Sequence, residues 1–571
     1  MEEKSPVYTL STECQDCYKC VRRCPVKAIK IQDGRAGVIP HRCISCGSCV
    51  LYCPSNAKQV RSDLGRVKEI LQKEKVIVSL APSWKRSFDF DSKKMISLLK
   101  RLGFAEVSET AIGAQEVSIE TAKFLNKSKK GVYISSACPV IVDYIRLYKS
   151  DFVKNIVPLA SPALTHAKLL KEEFGKDTTV VFIGPCIGKK SEADKNQDLI
   201  TASLTFEELK VWIKDEDINT EALDIDNKAK FVPYDANEGA LYPLDGGMNE
   251  TIKRVGINDN VQLFNISSLE LFAKSLNDLD LSKINKSIFV EALACVGGCI
   301  SGPCISAKKS DFSTMSDVLS TTCYRNKIPK KSKTVLPMNY KPSQVELKTY
   351  SPDEMRNALK RIGKQSEQDE LNCGGCGYQT CKDLAKALLD GDAEPQMCAS
   401  YMRQLAAKKA DAMFKYIPSA MIMLDKNFDI IEANEAYIRM FAGDKAKTYL
   451  SHPEQIVGKY GGDILELNAM FKKVLKSGCD IRKERYWYQG KFYALYIFCV
   501  DKGESIGVLI TDTTLFQGNR EKIAMKAREV ITKNISIVQE IACLLGEHMV
   551  ETETLLSSIA DDYEEESERE K

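Results

Sequence analysis

TTVVFIGPCIGKKSE, residues 178–192, begins as an apolar run and then changes to glycine, proline, cysteine, lysine and glutamate. A short apolar run of this kind is typical of a strand buried in a parallel sheet. Similar runs occur at KVIVSL (75–80), GVYISS (131–136) and SIFVEALA (287–294), and helix-like stretches lie between them at VDYIRLYKSDFV (142–153) and FEELKVWIK (206–214). This alternation predicts an α/β domain with helices on both faces of a parallel sheet.

Chemically distinctive loops follow the four apolar runs: APS (81–83), ACP (137–139), GPCIGKKSE (184–192) and ACVGGC (294–299). Ligand sites of such sheets lie beyond the carboxyl ends of the strands, where helix N-termini favour thiolates. The sequence therefore predicts one site assembled from four loops.

Composition restricts the class of protein. The 571 residues are enough for roughly three to five domains. With 81 Lys+Arg against 78 Asp+Glu, the net charge is small, so the protein has no overall positive electrostatic field that would favour binding of nucleic acid. The sequence has no apolar run of the roughly 18 residues that a membrane span needs, and it begins with a polar, acidic stretch. We expect a soluble, cytoplasmic protein that binds neither nucleic acid nor membrane, so its 21 cysteines indicate metal binding rather than disulfides.

Eight cysteines form two runs near the start, CQDCYKCVRRCPV (14–26) and CISCGSCVLYCPS (43–55). Each is the CxxCxxCxxxCP pattern of two-cluster ferredoxins, in which the fourth cysteine binds the other cluster. The pattern predicts one 4Fe-4S cluster at Cys14, Cys17, Cys20 and Cys53 and a second at Cys43, Cys46, Cys49 and Cys24. The alternatives are ordinary buried thiols and zinc sites.

The loops SSACPV (135–140), PCIGKKSE (185–192) and EALACVGGC (291–299) resemble, as a set, the signature stretches TSCCPxW, PCxxKxxE and ExMxCxGGCxxG of iron-only hydrogenases. The resemblance covers roughly residues 1–310. It implies an H-cluster, built of a 4Fe-4S part and a di-iron unit with carbonyl, cyanide and azadithiolate. The ligands of its 4Fe-4S part would be Cys138, Cys186, Cys295 and Cys299.

The resemblance also assigns individual roles. Cys299 would bridge to the di-iron unit, Lys189 would meet a cyanide, Glu192 could orient Lys189, and Pro82 and Ser83 would line the dithiolate. It implies H2 and protons as substrates, ferredoxin as a candidate electron partner, and maturation proteins that insert the H-cluster. Taken outside this motif, Lys189 and Lys190 would be a solvated helix start.

Several positions depart from the catalytic members of this family. Ala137 stands where they carry a proton-passing cysteine, and Ile141 replaces the tryptophan of the first stretch. Gly184 and Leu293 stand where catalytic members carry methionines beside the di-iron unit. Thr121 and Phe124 stand where they carry a pair of glutamates that relays protons. Because a methyl group and a phenyl ring carry no proton, we expect an intact electron route and an interrupted proton route. Cys304 and Cys323 are expected to be ordinary thiols.

A third cysteine group follows a Pro-, Lys- and Ser-rich linker. NCGGCGYQTCKDLAKALLDGDAEPQMC (372–398) resembles the small 4Fe-4S domains of redox and sensory proteins and predicts a third cluster at Cys373, Cys376, Cys381 and Cys398. Zinc is the alternative. The next segment resembles a PAS domain, with Asn434 at a frequent family position. We expect it to bind no haem or flavin, since its only histidine, His452, lies in a polar loop; Cys479 and Cys499 are expected to be ordinary residues.

A final helix carries apolar residues spaced four and three apart, which predicts a coiled coil and a homodimer. The seam comprises Ile531, Ile535, Val538, Ala542, Leu545, Met549, Thr552, Leu556 and Ile559. An amphipathic helix packed on its own domain is the alternative, and the acidic tail DDYEEESEREK is expected to be disordered.

The predicted organisation has six parts: a two-cluster ferredoxin-like domain (1–62), an α/β H-cluster domain (63–325), a linker (326–351), a small 4Fe-4S domain (352–410), an α+β PAS domain (411–516), and a coiled-coil helix with acidic tail (517–571). It favours a sensory iron-only hydrogenase of low turnover that signals to a kinase or phosphatase. The alternatives are a bulk hydrogenase that feeds ferredoxin and a non-enzymatic iron-sulfur assembly relative without a di-iron unit.

Overall fold

The structure is a computed structural model and describes residues 5–280, 284–306, 310–326, 328–329, 331–514, 526 and 528–538. The chain divides into two units, Met1–Met397 and Cys398–Lys571. Within these described residues, no helix is both long and apolar enough to cross a membrane.

The first unit begins with a small domain of short antiparallel strands. Its elements are β1 (Val7–Thr9), α1 (Lys19–Arg23), β2 (Ile29–Gln32), β3 (Arg35–Val38), α2 (Ser48–Leu51) and β4 (Lys58–Val60). Strand β1 pairs with β4, and β2 pairs with β3 as a hairpin. Each short helix lies inside one of the two cysteine runs, so the pairing of the strands brings the two runs together.

A four-stranded parallel sheet of order β6-β5-β8-β9 follows. Its elements are α3 (Leu64–Leu71), β5 (Val76–Leu80), α4 (Trp84–Ser87), α5 (Ser92–Arg101), β6 (Glu106–Glu109), α6 (Ala111–Lys127), β7 (Gly131–Ile134), α7 (Pro139–Tyr148), α8 (Pro162–Phe174), β8 (Thr179–Gly184), α9 (Gly188–Lys195), β9 (Ala202–Thr205) and α10 (Phe206–Asp215), of which β7 joins a different sheet. Every residue of β5 and β8 is buried, as the apolar runs predict.

The second parallel sheet has three strands in the order β10-β11-β7. The elements after α10 are α11 (Gly247–Val255), β10 (Val261–Ser267), α12 (Leu269–Asn277), β11 (Ser287–Leu293) and α13 (Asp311–Thr321). The four predicted strands therefore form as parallel strands, but they divide between two sheets instead of sharing one. In both sheets the loops after the strands lead to one cavity.

His166 on α8 is fully buried against the first sheet. Its two ring nitrogens lie 2.8 Å from Ser79 Oγ and 2.9 Å from Ser108 Oγ. Its surroundings offer hydroxyl partners but little water, so burial lowers the pKa of His166 to about 3.

The segment predicted as a linker lies along the α/β domain in its described part. The amides of Met338, Ser343 and Val345 donate to the carbonyl oxygens of Pro158, Arg146 and Leu147. Helices α14 (Pro352–Arg361) and α15 (Cys381–Asp390) complete the first unit. These hydrogen bonds hold the segment to the domain, so it does not act as a free spacer.

The second unit contains an antiparallel five-stranded sheet of order β13-β12-β16-β15-β14. Its elements are α16 (Ala399–Tyr416), β12 (Ala420–Asp425), β13 (Ile430–Ala433), α17 (Glu435–Phe441), α18 (Ala446–Ser451), α19 (Asn468–Ser477), β14 (Ile481–Tyr488), β15 (Lys491–Asp501) and β16 (Ser505–Asp512). Asn434 is buried and caps α17, while Oδ1 accepts from the Met421 and Tyr437 amides at 2.9 and 2.8 Å. His452 is exposed and pairs with Glu454, Cys479 is exposed, and Cys499 is half-buried.

Residues 528–538 form a helix whose apolar stripe packs on the unit's own sheet. Ile531 and Ile535 line a small cleft with Leu495, Tyr496 and Leu509. Val538 is buried. The described start of the predicted seam thus adopts the alternative arrangement, because the sheet face covers its apolar residues. The seam residues from Ala542 to Ile559 lie outside the described residues, and for them the coiled coil stays a prediction.

Candidate metal centre

A cavity of about 110 Å³ lies where the loops after β5, β7, β8 and β11 meet. Residues from all four loops line it, as the sequence predicts. The predicted site residues on its wall are Pro82, Ser83, Ala137, Cys138, Cys186, Lys189, Cys295 and Cys299.

The four predicted ligand cysteines on this wall, Cys138, Cys186, Cys295 and Cys299, are half-buried and lie close to one another. Desolvation raises the pKa of Cys186 to about 12 and that of Cys138, Cys295 and Cys299 above the ordinary value, and the neighbouring thiols raise the pKa of Cys186, Cys295 and Cys299 further. Four thiols in such surroundings need added positive charge to become thiolates, and iron would supply that charge. The donor set therefore fits an iron-sulfur cluster.

Helix N-termini and one side chain favour the thiolate form of these cysteines. Backbone amides at the start of α7 point at Cys138, and the Gly188 and Lys189 amides point at Cys186; both sets oppose the rise in pKa. The Lys189 ammonium lowers the pKa of Cys138, Cys186 and Cys299. It is thus the cation shared by three of the four thiols.

Lys189 is held in place by two contacts. Its Nζ lies 2.6 Å from Glu192 Oε2 and 3.0 Å from Ser161 Oγ, and Ser161 Oγ donates to the same carboxylate oxygen at 3.0 Å. The side chains of Lys189 and Glu192 are each only 11% exposed. The ammonium therefore stands beside the cavity at a fixed position.

Ser83 provides a second observation that fits a bound group. The residue is 1% exposed and lines the cavity, yet its Oγ has no hydrogen-bond partner among the residues that the structure describes. A buried hydroxyl without a partner is costly. A polar ligand in the cavity would relieve that cost, which agrees with the dithiolate contact implied by the family resemblance.

Lys190 faces away from the cavity although it follows Lys189. It is fully buried, its Nζ lies 2.8 Å from both Asp63 Oδ2 and Glu208 Oε2, and it donates to the Ser203 carbonyl oxygen at 2.7 Å. It is a structural residue that ties the start of the α/β domain to β9 and α10.

Some of the departures from the family pattern place apolar groups on the cavity wall. Ala137 presents only a methyl group to the wall, and it packs with a cluster that includes Phe124 and Tyr133, whose rings lie 5.4 Å apart. Thr121 is buried, and within the described part of the chain its Oγ1 has no hydrogen-bond partner. The remaining departures are Ile141, buried in α7, Gly184, buried at the end of β8, and Leu293, on the cavity wall.

Two buried acids, one half-buried acid and a tyrosine were missed by the sequence reasoning. Glu291 lines the cavity, accepts from the Asn249 and Met248 amides at 2.9 and 3.2 Å, and has its pKa raised by burial to about 7. Tyr242 also lines the cavity, and its hydroxyl lies 2.8 Å from Ser118 Oγ. The two acids on α6 accept hydrogen bonds, Glu116 from the Lys333 amide and Glu120 from the Ser332 hydroxyl. Glu291 had a usable signal, since it is the acid of the EALACVGGC stretch.

The cysteines of the first domain form two groups. Burial raises the pKa of Cys20, and the nearby charges of Cys14 and Cys17 raise it further. Besides burial, the charges of Cys43 and Cys46 raise the pKa of both Cys24 and Cys49. Cys24 therefore lies near the cysteines of the second run, as expected if the fourth cysteine of one run binds the cluster of the other. Cys53 is half-buried beside Ser55, with 3.7 Å between Sγ and Oγ.

The second group adjoins the cavity. Cys46 lines the cavity wall and acts on the pKa of Cys295. At Gly47, with φ +79°, an added Cβ would lie 2.6 Å from Pro303 and 2.9 Å from Ile187, so only glycine allows this close approach. The group of Cys24, Cys43, Cys46 and Cys49 therefore lies next to the four cavity thiols.

The third predicted group is split between the units. Cys373, Cys376 and Cys381 lie in the first unit, where the last two are buried, and Cys398 is the first residue of the second unit. Outside the predicted groups, Cys304 is buried, with its pKa raised by burial to about 12, and Cys323 is exposed.

Among the described residues, no three or more His, Cys, Asp or Glu side chains are arranged to hold a single metal ion. In a 4Fe-4S cluster each thiolate binds a different iron, so cluster ligands stand farther apart than those of one ion.

Grouped thiols at the strand ends of an α/β domain, beside a small cysteine-rich domain, define an iron-sulfur redox protein. Residues 74–303 match the family model of the iron only hydrogenase large subunit, C-terminal domain. Residues 6–54 match the 4Fe-4S dicluster domain, and residues 369–400 match a model for an Fe-S cluster segment. The chain thus contains an iron-only hydrogenase large-subunit domain preceded by a 4Fe-4S ferredoxin domain.

Two curated relatives are hydrogenases. Iron hydrogenase 1 of Clostridium pasteurianum is 26% identical over 374 residues, which cover 53% of this chain and 65% of that relative. The periplasmic iron hydrogenase large subunit of Nitratidesulfovibrio vulgaris is 25% identical over 355 residues, which cover 51% of this chain and 84% of that relative. Among solved structures, the FeFe-hydrogenase HydA1 from Chlamydomonas reinhardtii aligns with 18% identity and a TM-score of 0.39, over 50% of this chain and 100% of that one.

Proposed function

We propose that this chain is an iron-only hydrogenase of low turnover whose role is to sense H2. One observation carries the proposal: four cysteine thiols and the Lys189 ammonium line the same cavity, and Ala137 presents a methyl group where proton transfer needs a donor. The ligands support binding of an H-cluster, while the methyl group supports slow proton exchange.

When bound, the H-cluster supplies the metal centre at which H2 is split reversibly into two protons and two electrons. Cys138, Cys186, Cys295 and Cys299 would hold its 4Fe-4S part. Lys189 offers a fixed ammonium to an anionic ligand, and the free Ser83 hydroxyl offers a hydrogen bond. Ala137 and Phe124 carry no proton, so protons leave the cavity slowly.

Electrons leave the cavity more readily than protons under this proposal. The group of Cys24, Cys43, Cys46 and Cys49 would hold a cluster next to the cavity thiols, and Cys14, Cys17, Cys20 and Cys53 would hold another. Slow turnover suits a sensor, because occupancy then reports the concentration of H2 without consuming it. A ferredoxin is a possible electron partner in a reducing, cytoplasmic setting.

The second unit would convert the redox state into a signal. The antiparallel five-stranded sheet and the capping Asn434 support a PAS module, and the partner would be a protein kinase or phosphatase. If the seam beyond residue 539 forms a homodimer, Leu545→Asp places a charge in an apolar interface and makes the protein monomeric in sedimentation experiments. An unchanged oligomeric state would exclude that role.

Infrared spectroscopy of anaerobically matured protein tests the proposal. We expect stretching bands of metal-bound carbonyl and cyanide that change under H2. If fully loaded 4Fe-4S protein lacks those bands, the chain is an iron-sulfur protein without a di-iron unit. If the bands are present and turnover equals that of bulk hydrogenases, the sensory role is excluded.

A further inference from the structure

The loop that carries Cys373 and Cys376 is docked on the first domain at the end of α1. Lys27 Nζ donates to the carbonyl oxygens of Val21 at 2.9 Å and Gly377 at 2.9 Å, so one ammonium joins the two segments. Arg22 adds a hydrogen bond from Nη2 to the Gly375 carbonyl oxygen at 2.9 Å. The docked chain segments are separated by about 350 residues in sequence.

The contact continues along the hairpin of the first domain. The Ile31 amide donates to the Asp392 carbonyl oxygen at 2.9 Å, and the Asp392 carboxylate pairs with Arg42, the residue before Cys43. The Asp33 amide donates to Glu394 Oε1 at 2.6 Å. This is a continuous interface of backbone and charged contacts.

The geometry at the loop requires glycine at position 377. Gly377 has φ +92°, and an added Cβ would lie 3.1 Å from Val21 Cγ1 and 3.2 Å from the Arg22 amide nitrogen. A side chain there would push the loop away from α1, because both contacts are tighter than ordinary packing and one is to backbone.

Thiols of two different cysteine groups meet at this interface. Cys24 and Cys376 both lie close enough to Lys27 for their charges to favour its ammonium form. Both also lie near Tyr378, where, besides burial, their charges raise the pKa of the phenol. Lys27 Nζ lies 5.7 Å from the centre of the Tyr378 ring. Cys24 belongs to the group whose member Cys46 lines the cavity.

We propose that the Cys24 group is the junction through which the cavity exchanges electrons with a cluster held by the group of Cys373, Cys376 and Cys381, and that the Cys14 group is a side branch. The inference rests on the proposed function for the source of the electrons. The clusters that the two groups would hold supply one-electron transfer, so one electron would pass from a reduced cluster of the Cys24 group to an oxidised cluster of the Cys376 group. No bond or proton is involved in this step.

Lys27 is a positioning residue in this scheme. Its ammonium lies between the two groups, so it stabilises the added negative charge of whichever cluster is reduced. The rival route would run through Glu394, which lies near Asp16 and Tyr18 beside Cys14. Glu394 brings a carboxylate and no cysteine to that contact, which makes the Cys24 route the better supported one.

The first test is electron paramagnetic resonance of dithionite-reduced protein, which does not depend on the H-cluster. In the wild type we expect magnetic interaction between the reduced clusters at Cys24 and Cys376. Gly377→Ala should weaken it at unchanged iron content. Gly391→Ala is the matched control, because Gly391 also has positive φ, +76°, lies in the same segment and has open space at its Cβ. Interaction that persists unchanged in Gly377→Ala would overturn the proposal.

Potentiometric titration tests the role of Lys27. Lys27→Gln should shift the reduction potentials of both clusters to more negative values, since a nearby positive charge is lost, and Lys27→Arg should restore them. Potentials that are the same in all three proteins would overturn the positioning role.

Rapid freezing after exposure to H2 tests the route. Cys17→Ser should remove the Cys14 cluster and leave reduction of the Cys376 cluster by H2 intact; loss of that reduction in protein that keeps its other clusters would assign the route to the Cys14 group. Magnetic interaction in a wild type that H2 does not reduce would contradict the hydrogenase function and support the junction.

Discussion

Lys189 Nζ lies 2.6 Å from Glu192 Oε2, and Ser161 Oγ lies 3.0 Å from each of these atoms. The three side chains form a closed triangle on one side of the cavity. Ser161 also caps α8 by accepting from the Leu164 amide at 3.4 Å, so the position of the ammonium is tied to the start of a 13-residue helix.

Glu192→Gln should disturb this triangle without emptying the site. The amide keeps the shape of the carboxylate but removes the charge that makes the hydrogen bond to Lys189 strong. In the matured variant we expect the cyanide bands of the infrared spectrum to shift, with unchanged iron content. Glu250→Gln, on the exposed face of α11, serves as the control. Identical cyanide bands in wild type and Glu192→Gln would show that the pairing of Glu192 with Lys189 does not determine how the Lys189 ammonium contacts the cyanide.

Ala137→Cys should raise hydrogen turnover, but only in part. A positioned acid-base group is typically worth about 10²- to 10⁴-fold in rate. A thiol at position 137 would face the cavity, but its proton would still meet the apolar cluster of Phe124 and Tyr133. The measurement is hydrogen evolution and oxidation at matched cofactor loading, with Ala137→Ser as the control for size. Turnover equal to that of a bulk enzyme in the single variant would show that no outer barrier exists.

Lys190→Met should destabilise the first unit far more than it affects the cavity. Removing one partner from a buried charge cluster costs about 3–5 kcal/mol, because Asp63 and Glu208 lose the buried ammonium that pairs with both, and only Asp63 keeps a second cation, Arg61. Anaerobic urea denaturation gives the free energy of unfolding. Lys68→Met removes an exposed pair with Glu216 and should lower the free energy of unfolding far less, because solvent screens an exposed ion pair. Equal effects of the two substitutions would contradict the structural role of Lys190.

His166 should make the first unit less stable in mild acid. The pKa of His166 is lowered to about 3 in the folded protein against 6.5 ordinarily, so between these values the unfolded chain binds a proton that the folded chain does not. Stability is therefore fully present above pH 6.5 and falls as the pH drops, by about 1.4 kcal/mol per pH unit. His166→Gln should remove this part of the slope in urea denaturation between pH 8 and 5.5. A slope that is unchanged in the variant would mean that other groups cause it.

Local pattern was sufficient to predict the strands and the four loops of the cavity. Val76–Leu80 and Thr179–Gly184 are buried on both faces, so their composition is unambiguous. The same uniformity concealed the division into two sheets, because a strand that is apolar throughout does not show which neighbour it pairs with. Gly131–Ile134 pairs with Ser287–Leu293 and not with the strands of the first sheet.

The sequence did not indicate which of two adjacent identical residues faces the cavity, or which residues far apart in the chain come into contact. Lys189 and Lys190 are chemically alike, yet one faces the cavity and the other is fully buried with two carboxylates. Which lysine faces inward depends on the rotation of α9 against β9. Likewise, nothing near Lys27 in the sequence indicates Gly377, since the contact exists only after both segments have folded.

The Arg22–Gly375 hydrogen bond joins residues that are 353 positions apart, and this separation matters during synthesis. At about 5–20 residues per second, the ribosome needs on the order of 20 to 70 s to make the chain between them. Throughout that interval the face of the nascent first domain around Lys27 has no partner. The Cys24 group is therefore accessible from that face until the later segment emerges and closes over it.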